Sequence, residues 1–255
     1  MRIATWNVNS VRARLERVKA WLDRQRPEVV CLQETKVEDA LFPAQAFTEL
    51  GYHCLSYGQK TYNGVAILSL TEPEEVIRGF PGEAIEPGKR LLAARIAGVR
   101  VVNVYVPNGG EVGLPAYHAK LAWLAALRQW LEATADPAEE LVLCGDFNVA
   151  PENRDVWDAE LWRDRILFSE AEKQALAHLL TWGLVDTLRL RHPQGGIYTW
   201  WDYRAGAFHR GWGLRIDHIF ATAPLAARCT EVVVDRDERK GDKPSDHAPV
   251  IATFA

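Results

Sequence analysis

The feature that most constrains the fold is the placement of the polar residues: one short apolar run after another ends in a carboxylate, an amide or a histidine. These β-type runs alternate with amphipathic helical segments from one end of the chain to the other. No serine- or glycine-rich linker and no repeat interrupts the alternation. The pattern therefore predicts one continuous α/β domain over residues 1–255.

Hydrophobic periodicity locates the elements. We predict strands at residues 2–8, 29–34, 64–69, 91–96, 99–106, 141–147, 197–202, 214–221, 229–235 and 248–254. We predict a helix with Val11, Leu15, Val18 and Leu22 on one face, a helix at 115–133, and one that opens with the capping box Ser169-x-x-Glu172. Helices among many strands, followed by a strand-rich last third, favour two stacked sheets covered by helices over a doubly wound sheet. The absence of a glycine-rich phosphate loop from the sequence agrees with this preference.

Composition excludes some classes of protein. The 30 Lys and Arg are outnumbered by 34 Asp and Glu, so any nucleic-acid contact needs a local basic patch. No apolar run is long enough for a membrane helix and the N-terminus lacks a hydrophobic signal core, so we expect a cytoplasmic monomer that makes no membrane contact. The widely spaced cysteines predict reduced, buried side chains: Cys31, Cys54, Cys144 and Cys229.

Acids that end neighbouring strands are expected to meet at one edge of the sheets. Glu34 follows Val-Val-Cys-Leu-Gln, Asp146 follows Leu-Val-Leu-Cys-Gly, and Asp246 precedes the last strand. Together with nearby amides they would make an oxygen-rich site, which suits Mg²⁺ or Mn²⁺ better than zinc.

Each of these residues also has a simpler interpretation. Asn and Asp after a strand commonly form turns, so any single one, Asn9 included, favours a turn over a ligand. Glu34 differs, because a carboxylate that closes a buried run is costly unless it is paired or bound to a metal. His247 is favoured as functional because it follows Asp246 and because Asp217, at another strand end, could orient its ring.

Eight stretches of the chain match one family in order. They are Ala4-Thr5-Trp6-Asn7-Val8-Asn9-Ser10, Leu32-Gln33-Glu34-Thr35-Lys36, Asn63-Gly64-Val65-Ala66, Val104-Tyr105-Val106-Pro107-Asn108-Gly109, Gly145-Asp146-Phe147-Asn148, Tyr198-Thr199-Trp200-Trp201-Asp202-Tyr203-Arg204, Leu214-Arg215-Ile216-Asp217 and Ser245-Asp246-His247. On these motifs the chain resembles the exonuclease III family of apurinic/apyrimidinic endonucleases, within the endonuclease/exonuclease/phosphatase superfamily.

The resemblance implies a fold and an activity. The fold is a four-layer α/β sandwich of two stacked, mainly antiparallel sheets flanked by helices, as in deoxyribonuclease I. The implied activity is Mg²⁺-dependent hydrolysis of DNA phosphodiesters 5′ to abasic sites, with 3′-to-5′ exonuclease and 3′-phosphatase or phosphodiesterase activity. Mn²⁺ would substitute for Mg²⁺, and the partner would be double-stranded DNA with abasic sites or 3′ blocking groups.

The resemblance also implies roles for residues at matching positions. Glu34 would be the principal metal ligand, with Asn7 and Asp246 close to the metal or its waters. The other carried-over roles concern the attacking water and the phosphate: Asp146 for the water, Asn108, Asn148 and His247 for the phosphate, Tyr105 for the phosphate or leaving oxygen, and Asp217 for orienting His247. The motifs leave open whether Asp146 or the His247–Asp217 pair is the base.

A DNA surface is expected from residues 187–218. This segment contains five arginines (189, 191, 204, 210 and 215) and two aspartates (202 and 217), which gives a local charge of +3. Aromatic residues are interleaved with them, a pattern that suits contacts with nucleic acid. We expect about half of these side chains to be core or merely solvated. We assign phosphate contacts to Arg204 and Arg210, and the resemblance implies that Trp200, Trp212 and Leu214 form a pocket for the abasic sugar.

Some positions depart from the family, and other functions remain open. Glu111 stands where some members carry a basic residue, Gly211 stands where many carry Asn, and residues 150–168 follow no assignable pattern. Inositol phosphatases and sphingomyelinases use a similar catalytic set, and an inactive nucleic-acid-binding regulator is the alternative from another class. The Trp200–Arg204 and Leu214–Asp217 motifs favour the DNA branch, and the filled catalytic positions disfavour an inactive protein.

Overall fold

The computed structural model describes residues 1–80 and 88–255. Its strands are β1 (Arg2–Asn7), β2 (Val29–Gln33), β3 (His53–Tyr57), β4 (Val65–Ser69), β5 (Glu74–Arg78), β6 (Leu91–Ile96), β7 (Val99–Tyr105), β8 (Leu141–Asp146), β9 (Leu184–Asp186), β10 (Asp217–Thr222), β11 (Cys229–Val234) and β12 (Val250–Phe254). Its α-helices are α1 (Leu15–Gln25), α2 (Ala44–Thr48), α3 (Pro115–Thr134), α4 (Ala159–Trp162), α5 (Glu170–Leu180), α6 (Thr187–Arg191), α7 (Ala207–Arg210) and α8 (Ala223–Ala226).

The strands form two six-stranded sheets. The first sheet has the order β11-β12-β1-β2-β4-β3, and the second has the order β5-β6-β7-β8-β10-β9. Among the described strands only the pairs β1–β2 and β7–β8 are parallel, so both sheets are mixed but mainly antiparallel. Two stacked sheets flanked by helices confirm the predicted four-layer sandwich.

Three apolar clusters hold the layers together. Side chains such as Ile67, Val101 and Ile219 fill the space between the sheets. Helices α3 and α5 pack on the outer face of the second sheet through residues that include Trp123 and Leu176. Helix α1 covers the first sheet by burying Val18, Trp21 and Leu22, which is the face predicted from its periodicity.

Register brings the polar strand ends to one edge. In the parallel pairs Asn7 lies beside Gln33 and Tyr105 lies beside Asp146, while Asp217 opens β10 directly opposite Asp146. Gly145 is required just before Asp146, because a Cβ there would lie 1.9 Å from the carbonyl oxygen of Val104.

Several predicted boundaries are wrong for identifiable reasons. Residues 197–202 form no strand: only isolated bridges join Trp200 to Leu214 and to His247. Helix α1 begins at Leu15, because residues 11–14 form a turn, although Val11 is buried as predicted. Hydrophobic periodicity did not predict β3, β5 and β9. The residues of β3 and β5 are mostly half-buried or exposed, and β9 is only three residues long, so the apolar pattern of these strands is weak.

The predicted capping box and free cysteines are confirmed in the described part of the chain, except that Cys54 is not fully buried. The Ser169 capping box opens α5, and Cys31, Cys54, Cys144 and Cys229 are free thiols, with Cys54 only half-buried. Among the described helices, none is both long and apolar enough to cross a bilayer.

A buried polar bridge fixes the stacking of the sheets. Asn103 of β7 donates from Nδ2 to the carbonyl oxygens of Leu32 (3.0 Å) and Ala66 (2.8 Å) in the opposite sheet. Its Oδ1 accepts a 2.7 Å hydrogen bond from Gln33 Nε2. Buried amides of this kind are costly to leave unpaired, so the bridge fixes the relative positions of the sheets.

Asn103→Ala should destabilise the protein by about 2–4 kcal/mol, because it leaves buried polar groups of both sheets unpaired. Urea unfolding followed by far-UV circular dichroism measures the change. Thr253→Ala, at a half-buried position on β12, is the control and should cost less than about 0.5 kcal/mol. Equal effects of the two substitutions would show that the amide bridge contributes nothing specific.

Candidate active site

Asn7 joins the acids of the two sheets. Its Nδ2 donates to Glu34 Oε1 and to Asp146 Oδ2, both at 2.9 Å. Glu34 follows β2 of the first sheet with φ of 50°, and Asp146 ends β8 of the second sheet. Two carboxylates from different sheets thus share one amide group.

His247 lies beside Asp146 and is held by Asp217. Its Nδ1 lies 2.8 Å from Asp217 Oδ2, and its Nε2 lies 3.8 Å from Asp146 Oδ2. Asp217 is held in turn by Thr199, whose Oγ1 accepts hydrogen bonds from the backbone N–H groups of Ile216 and Asp217. The ring therefore has a fixed orientation, with Nε2 facing the acidic centre.

Charge around the histidine shifts several pKa values. Burial alone would lower the pKa of His247, but Asp217, Asp146 and Asp246 raise it to about 10. Burial raises the pKa of Asp146 to about 7, with a further increase from Asp217 and an opposing effect of His247. At neutral pH His247 is therefore a cation and Asp146 is the group able to take up a proton.

A second set of contacts surrounds Asp246. Trp200 Nε1 donates to its Oδ2 (3.0 Å) and Asn9 Nδ2 donates to its Oδ1 (3.1 Å). Burial opposes ionisation of Asp246, yet His247 and these two donors lower its pKa. Asn9 combines both interpretations from the sequence, because it has the φ of 44° typical of a turn and also contacts the site.

Lys36 links Glu34 to Asn9, the amide that donates to Asp246. Its Nζ lies 2.7 Å from Glu34 Oε2 and donates to Asn9 Oδ1 at 2.6 Å. Lys36 belongs to the Leu32–Lys36 motif, and the sequence alone predicts no role for it. Its position two residues after a strand-end acid was the available signal.

The predicted phosphate amides lie on the other side of Asp146. Asn108 is exposed and donates from Nδ2 to Asn148 Oδ1 at 3.2 Å. Asn148 donates to the Val106 carbonyl oxygen at 3.0 Å, and its backbone N–H donates to Asp146 Oδ1 at 2.8 Å. The two amides and the acidic centre are therefore one connected group.

Tyr105 completes this side of the site. Burial raises the pKa of its hydroxyl well above the usual range, with further increases from Glu34 and Asp146. The guanidinium of Arg90 lies 4.7 Å from the ring centroid. Tyr105 therefore remains a hydrogen-bond donor at any working pH.

One cluster among the described residues has the spacing of a metal site: ligand atoms of Glu34, Asp146 and His247 lie within 4.8 Å of one another. The carboxylates fit a hard divalent cation, whereas protonated His247 is a donor rather than a ligand. Of the predicted ligands Glu34, Asn7 and Asp246, Glu34 is the one that belongs to this cluster. Asn7 donates to Glu34 and Asp146, and both oxygens of Asp246 accept hydrogen bonds, so the place of Asn7 and Asp246 at the metal stays a prediction.

The arginines of residues 187–218 divide into two groups. Arg215 is buried and pairs with Asp155 and Asp186, and Arg189 is largely buried against Asp155. The predicted local charge of +3 is therefore not a surface charge, because residues outside the segment neutralise part of it. Arg204 and Arg210 are exposed, as a phosphate contact requires.

Aromatic side chains form a small cavity next to Trp200. The cavity has about 240 Å³ and is lined by residues that include Trp157, Trp162, Trp200 and Trp212. Trp157 stacks on Trp212 with ring centroids 4.9 Å apart, and Arg210 lies 4.5 Å from the Trp212 ring. Leu214 is fully buried and packs with Trp200 without lining this cavity, and its place in a sugar pocket stays a prediction.

The family of the chain follows from comparison with known proteins. Residues 4–247 match the model of the endonuclease/exonuclease/phosphatase family. The chain therefore belongs to this family. An exodeoxyribonuclease III of Haemophilus influenzae is 35% identical over 266 residues, which cover 100% of both chains.

Two solved structures share the whole fold. An AP endonuclease from Archaeoglobus fulgidus is 45% identical with a TM-score of 0.97, and the match covers 100% of this chain and 99% of that one. A 3′-5′ exonuclease from Neisseria meningitidis is 46% identical with a TM-score of 0.96 and the same coverage.

Asp217→Asn should lower the pKa of His247, because it removes the nearest negative charge. A histidine whose folded pKa is raised stabilises the fold below about pH 6.5, and this contribution is lost as the pH rises toward 10. The stability advantage of the wild type over Asp217→Asn should therefore shrink between pH 6 and 10.

Histidine ¹⁵N NMR of the metal-free protein measures the shift, and urea unfolding across the same pH range measures the stability. Exposed His53 is the internal control, and its ring signals should be the same in both proteins at each pH. A His247 titration unchanged by Asp217→Asn would contradict the electrostatic assignment.

Proposed function

We propose that this chain is a Mg²⁺-dependent DNA repair nuclease, with Mn²⁺ as a substitute, that hydrolyses phosphodiesters 5′ to abasic sites. We include 3′-to-5′ exonuclease and 3′-phosphatase or phosphodiesterase activity, because all three reactions are attack of water on phosphorus at a DNA sugar. The observation that carries the proposal is the cluster of Glu34, Asp146 and His247, tied together by Asn7 and bordered by Asn108 and Asn148.

Glu34 is the residue that would hold the metal ion, with Asp146 next to it and Asn7 setting their separation. A bound divalent ion would neutralise charge on the phosphate oxygens and stabilise the departing alkoxide. Lys36 lies on the other oxygen of Glu34 and keeps that carboxylate oriented.

We assign the general base to Asp146 rather than to the His247–Asp217 pair. His247 has a raised pKa and so carries its proton at neutral pH, which leaves it unable to accept another. The pKa of Asp146 is raised toward 7, close to the operating pH at which a base is most effective. Its Oδ1 is held by the backbone N–H of Asn148, which fixes the direction of the carboxylate.

The phosphate would be held by donors around Asp146. Protonated His247 offers Nε2–H, and the amide groups of Asn108 and Asn148 offer further donors. Fixed donors of this kind stabilise the charge that develops on the phosphate oxygens in the transition state. Tyr105, which stays protonated, would donate to the phosphate or to the leaving oxygen.

Substrate binding would extend from this centre to the exposed arginines. Arg204 and Arg210 offer charge to the DNA backbone, and the cavity beside Trp200 offers an apolar wall for an abasic sugar. Both sheets supply residues to the centre, so we treat residues 1–255 as one catalytic domain acting as a monomer on double-stranded DNA. The relatives named above include an AP endonuclease and an exonuclease of nearly equal identity, which supports a shared centre for both reactions.

The test is one assay on three duplexes: an internal abasic site, a 3′-phosphate and a recessed 3′ end, each with Mg²⁺ or EDTA. We expect Mg²⁺-dependent cleavage and no phosphate release from inositol phosphates. DNA binding without cleavage in either Mg²⁺ or Mn²⁺ would contradict the proposal and favour a regulator.

Asp146→Asn should lower single-turnover cleavage by about two orders of magnitude or more, because the amide cannot accept the proton of the attacking water. Binding of the abasic duplex in Ca²⁺ should change by less than about threefold. His53→Asn is an exposed control outside the site. Near-normal cleavage by Asp146→Asn would remove Asp146 from the chemistry.

Glu34→Gln should raise the Mg²⁺ concentration for half-maximal activity by about tenfold or more, because the cation loses an anionic oxygen ligand. Mn²⁺ binding by electron paramagnetic resonance should weaken in parallel without DNA present. Glu16→Gln, at an exposed position on α1, is the matched control. An unchanged metal requirement in Glu34→Gln would make Glu34 structural.

A further inference from the structure

A lysine lies completely buried beneath the two amides. Lys120 belongs to α3, and its side chain has no exposed area. Its Nζ donates to the carbonyl oxygens of Asn108 (3.1 Å) and Asn148 (2.6 Å) and forms an ion pair with Glu172. An ammonium group has three donors, so all of its hydrogen-bonding capacity is used.

The partner carboxylate is equally enclosed. Glu172 lies in the first turn of α5 with no exposed side-chain area. Its Oε1 accepts from the backbone N–H of Leu167 (3.1 Å), and its Oε2 accepts from the backbone N–H and the hydroxyl of Ser169 (3.0 and 2.6 Å). The ion pair thus connects the loop before α5 to the loops that follow β7 and β8.

The adjoining backbone is shaped to admit this lysine. Gly109 follows Asn108 with φ of +90°, and a Cβ at this position would lie 3.0 Å from both Lys120 Cδ and Ile166 Cδ1. The Asn108 loop therefore lies directly on the aliphatic part of Lys120. A buried ion pair contributes little net stability compared with an apolar pair of similar volume, so stability alone does not explain it.

We propose that Lys120, anchored by Glu172, is a positioning residue that sets the separation and direction of the two phosphate-binding amides of Asn108 and Asn148. It touches only their main-chain oxygens and so acts through them. The role of the amides rests on the proposed function, whereas the control of their geometry by Lys120 does not.

The charge of Lys120 supports the same role. Burial lowers its pKa, while Glu172 and Asp146 act in the opposite direction and favour the charged form. Two carbonyl oxygens and one carboxylate can be drawn together by a cation but not by an apolar side chain of the same length. Lys120→Met should therefore release the two loops from each other while keeping the packing volume.

The first test needs no activity. In ¹⁵N NMR of Lys120→Met, the side-chain amide signals of Asn108 and Asn148 should shift or broaden, while those of Asn7, which has no contact with Lys120, should not. Unchanged signals from both amides would overturn the proposal. Should Lys120→Met fail to fold, Glu172→Gln, which keeps the acceptor for the helix cap but removes the counter-charge, takes its place.

The second test is a double-mutant cycle on single-turnover cleavage of the abasic duplex. Lys120→Met should lower kcat by about tenfold or more with KM and Mg²⁺ half-saturation within about twofold. Combined with Asn148→Ala, the total loss should be smaller than the product of the two single losses, because Lys120→Met already misplaces the Asn148 amide and the remaining loss comes through Asn108. Multiplying losses would overturn the proposal by making Lys120 independent of Asn148.

A matched control separates positioning from general stability. Glu238→Gln weakens another buried ion pair, with Arg17 and Arg24, outside the site. It should lower Tm without changing kcat. Equal kcat losses in Glu238→Gln and Lys120→Met would overturn the proposal. If the wild type cleaves no DNA, the proposed function is contradicted, and the NMR result alone decides the role of Lys120.

Discussion

The site depends on the hydrogen bonds from the Asn7 amide to Glu34 and Asp146. These two carboxylates belong to different sheets, and each would repel the other without a donor between them. Because β1 and β2 run parallel, Asn7 and Glu34 both lie at the carboxyl ends of their strands. Asp146 ends β8 at the same edge of the second sheet, so the Asn7 amide can contact both acids. The parallel pairs in two otherwise antiparallel sheets thus produce one acidic edge.

The negative charge at this edge requires compensation from several directions. Four acids lie close together at this edge: Glu34, Asp146, Asp217 and Asp246. Among the described residues, the cations that compensate their charge include His247 and Lys36. The neighbouring acids raise the pKa of His247, whereas burial is the main cause of the raised pKa of Asp146, with a further increase from Asp217. Charge and burial together separate the roles of the two groups: the histidine keeps its proton and the aspartate takes one.

The local sequence was sufficient for the acids but not for the cations around them. Glu34 and Asp146 could be predicted because each closes a run of buried residues, a signal contained in the six or so residues before it. Lys120 gave no such signal, since a lysine on an amphipathic helix is usually exposed. Its burial results from loops after β7 and β8 that meet α5 only in the folded chain.

Local sequence also overestimates how many arginines of residues 187–218 lie on the surface. Arg189 and Arg215 count toward the charge of the basic and aromatic segment from which a DNA surface is expected, yet both bind Asp155. Asp155 belongs to residues 150–168, for which no pattern could be assigned. The net charge of a segment therefore predicts a DNA-binding surface only when no acid from elsewhere in the sequence pairs with its arginines. Such pairing depends on the tertiary fold.

The central claim is that one acidic centre directs water to the phosphorus of a DNA phosphodiester. The most direct measurement is cleavage of an abasic duplex in ¹⁸O-labelled water with Mg²⁺, followed by mass spectrometry of both fragments. The account predicts one ¹⁸O in the new 5′-phosphate and none in the new 3′-hydroxyl. A 5′-phosphate without ¹⁸O, together with an unsaturated sugar at the other end, would indicate elimination and contradict it.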